Sequence, residues 1–150
     1  MIEKKIYYIN PVFEAKYWGG QALKKRYGYE PDLPNIAIAY HVIALPQHHL
    51  DNEVAGTGET LSQFYANHRE LFGCNRDDFP IRMGSGNKEE RISIQLHPND
   101  AYCLEHEGER GKVECGIIVQ GDCDHLAIRG HHAKTKEEFR YLVETEQWDK

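Results

Sequence analysis

The sequence predicts a mainly β domain with peripheral helices. Two short segments predict it most directly, Arg91-Ile-Ser-Ile-Gln-Leu-His97 and Lys112-Val-Glu-Cys-Gly-Ile-Ile-Val-Gln120. Both are rich in β-branched residues and are closed by a breaker, Pro98 or Gly121, which is how strands read. Strand side chains alternate faces. Ser93, Gln95 and His97 therefore share one face of the first segment, opposite Ile92, Ile94 and Leu96. In the second, Lys112, Glu114 and Gly116 oppose Val113, Cys115 and Ile117. A third observation is the order of signals. Helices precede and interrupt a late block of strands, which suits an antiparallel β core flanked by helices.

Residues 1–18 hold an apolar run ending at Asn10-Pro11, then Tyr17-Trp18 before Gly19-Gly20, and predict an edge strand and a turn. Gln21 to Tyr27 predicts two helical turns stopped by Gly28. Asn35 to Leu45 is apolar and β-branched enough for a strand, ended by Pro46. From Glu59 to Phe72, positions 61, 64, 65, 68, 71 and 72 follow helical spacing up to Gly73. Met83-Gly-Ser-Gly-Asn87 reads as a loop. Pro98-Asn99-Asp100 offers an N-cap for a short helix through Glu107, with Gly108 as its left-handed stop. Asp124 to Arg129 predicts a further strand. Thr135-Lys-Glu-Glu138 is a capping box that opens a helix through about Thr145.

At 150 residues the chain suits one domain, residues 1–150. Lys plus Arg number 18 against 24 Asp plus Glu, a formal charge of −6, which argues against nucleic acid or an anionic membrane as partner. The charged start Met-Ile-Glu-Lys-Lys and the lack of a long apolar run predict a soluble cytoplasmic protein. Cys74, Cys103, Cys115 and Cys123 match no zinc-ribbon or CxxC spacing and read as buried or half-buried free thiols. His48-His49 and His131-His132 read as surface residues, Tyr7, Tyr8 and Trp18 as packing residues. Arg69-Glu70 and Glu89-Glu90-Arg91 read as solvated charges.

If the polar faces of the two late segments meet, an amide, an imidazole and a carboxylate converge beside one ammonium, a set able to hold a divalent metal. The alternative is that Gln95 and His97 are hydrogen-bonded core polars. Lys112 is open to a substrate contact or to a plain salt bridge with Glu114 or Asp100.

Gln95-Leu-His-Pro-Asn-Asp100 and Glu107-Gly-Glu-Arg-Gly-Lys-Val-Glu-Cys115 resemble the metal-binding core of type I mannose-6-phosphate isomerases, cupin-fold enzymes of sugar metabolism. Pro11-Val-Phe, Trp18-Gly-Gly20, Leu71-Phe-Gly73, Phe79-Pro80 and Lys136-Glu-Glu138 add to the resemblance in the same order. It implies an incomplete cupin-like jelly-roll sandwich matching the N-terminal portion of such an enzyme. It also implies zinc-dependent aldose-ketose isomerisation of mannose 6-phosphate and fructose 6-phosphate, with a hexose 6-phosphate as substrate. One zinc ion would be held by Gln95, His97 and Glu114, with Lys112 as the active-site lysine. The family's fourth metal ligand and later catalytic groups have no counterpart here, and Ala37-Ile-Ala-Tyr40, Ile43-Ala-Leu-Pro46 and Gly116 replace family residues. The expectation is a weakened zinc site and a homodimer through exposed sheet edges, or else a non-catalytic cupin module with at most a weak metal or sugar-phosphate site. His125, Glu105 and Asp124 are candidates for the base by sequence proximity alone, and none is assigned.

Overall fold

The computed structural model describes residues 2–121 and 128–149. The chain forms two compact units, Met1–Ile92 and Ser93–Lys150. The first unit is mostly sheet. Its strands are β1 (Ile9–Asn10), β2 (Val12–Glu14), β3 (Ile38–Val42), β4 (Ala44–Leu45), β5 (Leu50–Asp51), β6 (Glu53–Val54), β7 (Glu59–Thr60) and β8 (Met83–Gly86), with helices α1 (Ala22–Tyr27) and α2 (Leu61–Asn67) between them. They pair antiparallel in three small, unclosed sheets of order β1-β6-β7, β2-β3-β8 and β4-β5.

Leu23, Ile36 and Ala39 pack with Phe13 and Tyr29 in one core cluster, while Val54, Leu61 and Phe64 collect Tyr7, Ile9, Leu71, Phe72 and Phe79 in another. Edge-to-face aromatic contacts order the second cluster: the Tyr65 ring lies 5.0 Å from Phe72 and 5.3 Å from Phe79. Tyr7 packs on Phe64 at 4.9 Å as expected, whereas Tyr8 is exposed.

Asn52 joins the sheets. It is the only buried polar residue among those described. Its Oδ1 accepts the Ile43 N–H, and its Nδ2 donates to the Asn10 carbonyl at 2.9 Å and the Tyr40 carbonyl at 3.0 Å. One side chain thus ties the end of β1 to β3 and to the turn into β4.

The expected strand 35–45 forms β3 and β4, parted at Ile43, and a register irregularity falls inside β3 between Tyr40 and Val42. The expected helix 59–72 starts at Leu61, where Thr60 and Gln63 form a capping box, and stops at Asn67. Asn67 and His68 both turn their side chains to Glu59, at 2.6 and 3.3 Å, and His68 leaves helical geometry. A 3-10 turn, Arg69–Leu71, follows.

Residues 83–86 correct the loop reading. Gly84 stands opposite Tyr40 in β8, and a Cβ there would lie 2.9 Å from the Ala39 carbonyl oxygen. Glycine is needed for that close approach, and β3 supplies the ladder. The loop after β8 also seats α1. Gln21 gives no side-chain cap, so Asn87 Oδ1 accepts the Ala22 N–H at 2.8 Å and Glu89 Oε1 the Gln21 N–H at 3.1 Å. Glu89 is therefore more than a solvated charge.

The second unit carries α3 (Asp100–His106) and α4 (Lys136–Glu144). Asn99 Oδ1 caps α3 through the Tyr102 N–H at 3.0 Å, and Gly108 is left-handed at φ 71°. Thr135 caps α4 through the Glu138 N–H at 3.1 Å, and Glu138 reaches back to the Lys134 N–H at 2.6 Å. Segments 91–97 and 112–120 differ from expectation. Neither joins a sheet ladder among the described residues. β-branched composition favours a pleated chain, but a strand exists only where a neighbour supplies hydrogen bonds. Residues 124–127 of the expected strand 124–129, Asp124 and His125 among them, lie outside the described residues, as does Cys123.

Candidate metal centre

The site is built from the two segments flanking α3. His97 lies at the end of the first, just before Pro98 and the Asn99 cap. Lys112 and Glu114 lie on the second, two residues apart, so that their side chains can reach one side of the chain. His97 Nε2 stands 3.3 Å from Glu114 Oε2, and Lys112 Nζ stands 2.5 Å from the same oxygen. Three of the four side chains singled out by sequence therefore meet at one carboxylate. Gln95 is placed differently: its Nε2 donates to Ser93 Oγ at 3.1 Å, a neighbour on its own segment.

The cluster is wet. The three side chains are between 33% and 45% exposed, so each ion pair is worth no more than about 1 kcal/mol by surface precedent. The hydrogen bond from Lys112 is the largest influence on Glu114 and, with the charges of Lys112 and His97, holds its carboxyl below the ordinary glutamate range. Partial burial acts in the opposite direction and is outweighed. Glu114 is an ionised acceptor at neutral pH.

The donor geometry suits a metal in one respect. Two ligands on a tetrahedral zinc with bonds of about 2.0–2.1 Å stand about 3.3 Å apart, the separation seen between His97 and Glu114. Their chemistry, imidazole nitrogen and carboxylate oxygen, fits zinc as well. An ion entering here would share Glu114 with the Lys112 ammonium. Among the described residues, no group of three or more His, Cys, Asp or Glu is arranged to hold a metal. A set completed by the Gln95 amide is a different kind of group.

Gly111 and Asp100, the latter expected as a salt-bridge partner of Lys112, connect the segments. Asp100 Oδ1 accepts the Gly111 N–H at 3.0 Å, and Asp100 Oδ2 accepts from Arg110 Nη1 at 3.3 Å. The signal available in sequence was a glycine directly before the site lysine. Glu105, a candidate base, sits on α3 with its carboxylate 3.9 Å from His106 Nε2. Asp124 and His125 lie outside the described residues. Cys103 is buried and Cys74 half-buried as expected, but Cys115 is exposed. His48, His49, His131 and His132 are all exposed.

No protein-family model matches the chain. It is 36% identical over 146 residues to the mannose-6-phosphate isomerase of Streptococcus mutans, and 36% identical over 148 residues to one from Bacillus subtilis. Each match covers 95% of this chain and 46% of the relative. The fold agrees with the crystal structure of the mannose 6-phosphate isomerase from Bacillus subtilis at a TM-score of 0.82 and 33% identity, again over 95% of this chain and 46% of that one. The chain spans about half the length of the curated relatives it matches.

Sequence and fold together define a cupin-type chain of mostly small sheets with few helices. Over nearly its whole length it is similar to an N-terminal portion of mannose-6-phosphate isomerases. No helix among the described residues is long and apolar enough to cross a membrane.

Proposed function

We propose that residues 1–150 form one cupin-like domain supplying the metal-binding N-terminal part of an enzyme that interconverts mannose 6-phosphate and fructose 6-phosphate. The observation that carries this reading is the convergence of His97, Lys112 and Glu114, from the two segments that resemble the family core, on a single carboxylate oxygen. Gln95, His97 and Glu114 would hold one zinc ion. Rotation of the Gln95 amide away from Ser93 would complete the set.

Aldose-ketose exchange moves a proton between C1 and C2 through an enediol, and negative charge develops on oxygen during the transfer. Zinc, when bound, supplies Lewis-acid polarisation of the C1 and C2 oxygens. Lys112 brings a second positive group to the same spot, able to anchor the phosphate or to stabilise the developing oxyanion. His97 serves as a neutral ligand, and Glu114 keeps both cations close by remaining ionised. The location proposed is the cytoplasm. The proposed assembly is a homodimer formed through segments 91–97 and 112–120, whose molecular weight sedimentation would read directly.

The test is a coupled isomerase assay on the zinc-loaded chain with mannose 6-phosphate. Turnover that is lost in Glu114→Gln and in His97→Ala supports the reading. A zinc-loaded chain with neither turnover nor binding of the sugar phosphate overturns it. One observation favours a second reading, a non-catalytic cupin module: Lys112 already neutralises Glu114 at 2.5 Å. In that case zinc would fail to displace the ammonium at neutral pH, and the chain would contain no stoichiometric metal.

A further inference from the structure

The segment carrying Lys112 and Glu114 crosses the segment carrying His97 at one point. Gly111 lies against the backbone of Pro98, Asn99 and Asp100. A Cβ on Gly111 would fall 2.5 Å from the Pro98 carbonyl oxygen, 2.8 Å from the Asn99 carbonyl carbon and 2.9 Å from the Asp100 nitrogen. These are backbone atoms, which cannot swing aside as a flexible side chain can. Gly111 is not required here by a left-handed φ. It is required by space.

The crossing is pinned as well as close. Asp100 Oδ1 accepts the Gly111 N–H at 3.0 Å, and its other oxygen accepts from Arg110 at 3.3 Å. The far side is held by α3. Asn99 caps the helix through the Tyr102 N–H, its carbonyl accepts the Cys103 N–H at 3.0 Å, and the buried Cys103 Sγ lies 3.8 Å from the Pro98 carbonyl. His97 is one residue before the crossing on one segment, and Lys112 is one residue after it on the other.

We propose that Asp100 and Gly111 are positioning residues of the site, a backbone clamp that sets the gap between His97 and the Lys112–Glu114 pair. The proposal rests on the metal-site reading above for its consequence, but not for its geometry. The clamp acts through distance. Opening the crossing carries Glu114 away from His97, and two ligands that cannot reach one ion together lose the chelate advantage between them. Loss of a partner that orients metal ligands typically costs about 10–100-fold in affinity.

The experiment uses the full chain and three variants, Gly111→Ala, Asp100→Ala and Asp100→Asn. Each is read by the nuclear Overhauser effect between the His97 ring and the Glu114 γ-protons, by zinc titration, and by exchange protection of the Tyr102 and Cys103 amides in α3. The expected result is that Gly111→Ala and Asp100→Ala lose the cross-peak and bind zinc at least about 10-fold more weakly with α3 protection intact. Asp100→Asn keeps an acceptor oxygen for Gly111 and retains the cross-peak. An undiminished cross-peak in Gly111→Ala and Asp100→Ala overturns the clamp. So does its loss together with α3 protection, which would mark a general structural role. If the unsubstituted chain binds no zinc, the metal reading falls, and the cross-peak alone still decides the clamp.

Discussion

Asn52→Ala should destabilise the first unit by about 3 kcal/mol, and the figure follows from where each hydrogen bond goes. The Ile43 N–H that bonds Asn52 Oδ1 belongs to a buried residue, 1% exposed. Deprived of its acceptor and out of reach of water, it carries the full desolvation penalty of about 1–3 kcal/mol. The Asn10 and Tyr40 carbonyls that take the Nδ2 protons are only partly buried, and solvent can reclaim part of each loss, leaving about 0.5–1 kcal/mol apiece. The backbone pairs around Asn52 are independent of its side chain: Asn52 N–H to the Ile43 carbonyl at 3.1 Å, and Leu61 N–H to the Asn52 carbonyl at 2.7 Å. They should survive. Urea denaturation followed by tyrosine and tryptophan fluorescence would show a lower midpoint with an unchanged slope. Against a typical domain stability of about 5–15 kcal/mol, a loss of this size is large but need not unfold the chain. A loss below about 1 kcal/mol would refute the reasoning, because it would mean that the Ile43 N–H had found another partner or was never out of water.

Other outcomes follow from the same structure. Asn87→Ala should cost about 1 kcal/mol, the scale of an N-cap loss, because α1 has no cap of its own and Asn87 serves the Ala22 N–H; the same urea assay checks it. Lys112→Met should tighten zinc binding by about 3–10-fold, since an ammonium near a divalent ion repels it by about 2 kcal/mol at 4 Å in water before salt screening; calorimetric titration reads this, and unchanged affinity would place the ion away from Glu114. The interaction of Glu114 with Lys112 and His97 should persist from neutral pH down through the ordinary glutamate range. A carboxyl with a depressed folded-state value contributes stability above its unfolded value and loses it only as pH falls through the folded one. A pH titration of the Glu114 carboxyl carbon by NMR should therefore have its midpoint below that of a free glutamate.

Local signals that depend on few residues were legible in the sequence. The caps at Asn99 and Thr135, the glycine stops at Gly28 and Gly108, and the start of the helix near Leu61 all follow from backbone chemistry within four residues. Long-range pairing was not. Met83-Gly-Ser-Gly reads as a turn by composition and becomes strand β8 because β3 offers a ladder and Gly84 the room. The segments 91–97 and 112–120 show the converse, with strand composition and no ladder among the described residues. The helix expected through Phe72 ends at Asn67 because Glu59, eight and nine residues earlier, draws Asn67 and His68 aside. The meeting of His97 and Lys112 at Glu114 was legible because a period of two and a known motif place Lys112 and Glu114 on one face. Gln95 points to Ser93 instead, a choice between neighbours that alternation cannot decide. The pairing of Asp100 with Gly111, rather than with Lys112, was not legible because it lies in a backbone crossing, which leaves only a glycine as its trace.

The metal content of the purified chain at neutral pH, with and without His97→Ala and Glu114→Gln, separates a zinc-holding site from a plain salt-bridge cluster. Close to one zinc per chain is expected, diminished by either substitution. Absence of zinc from the unsubstituted chain, or a bound ion indifferent to both changes, would contradict the zinc-holding site.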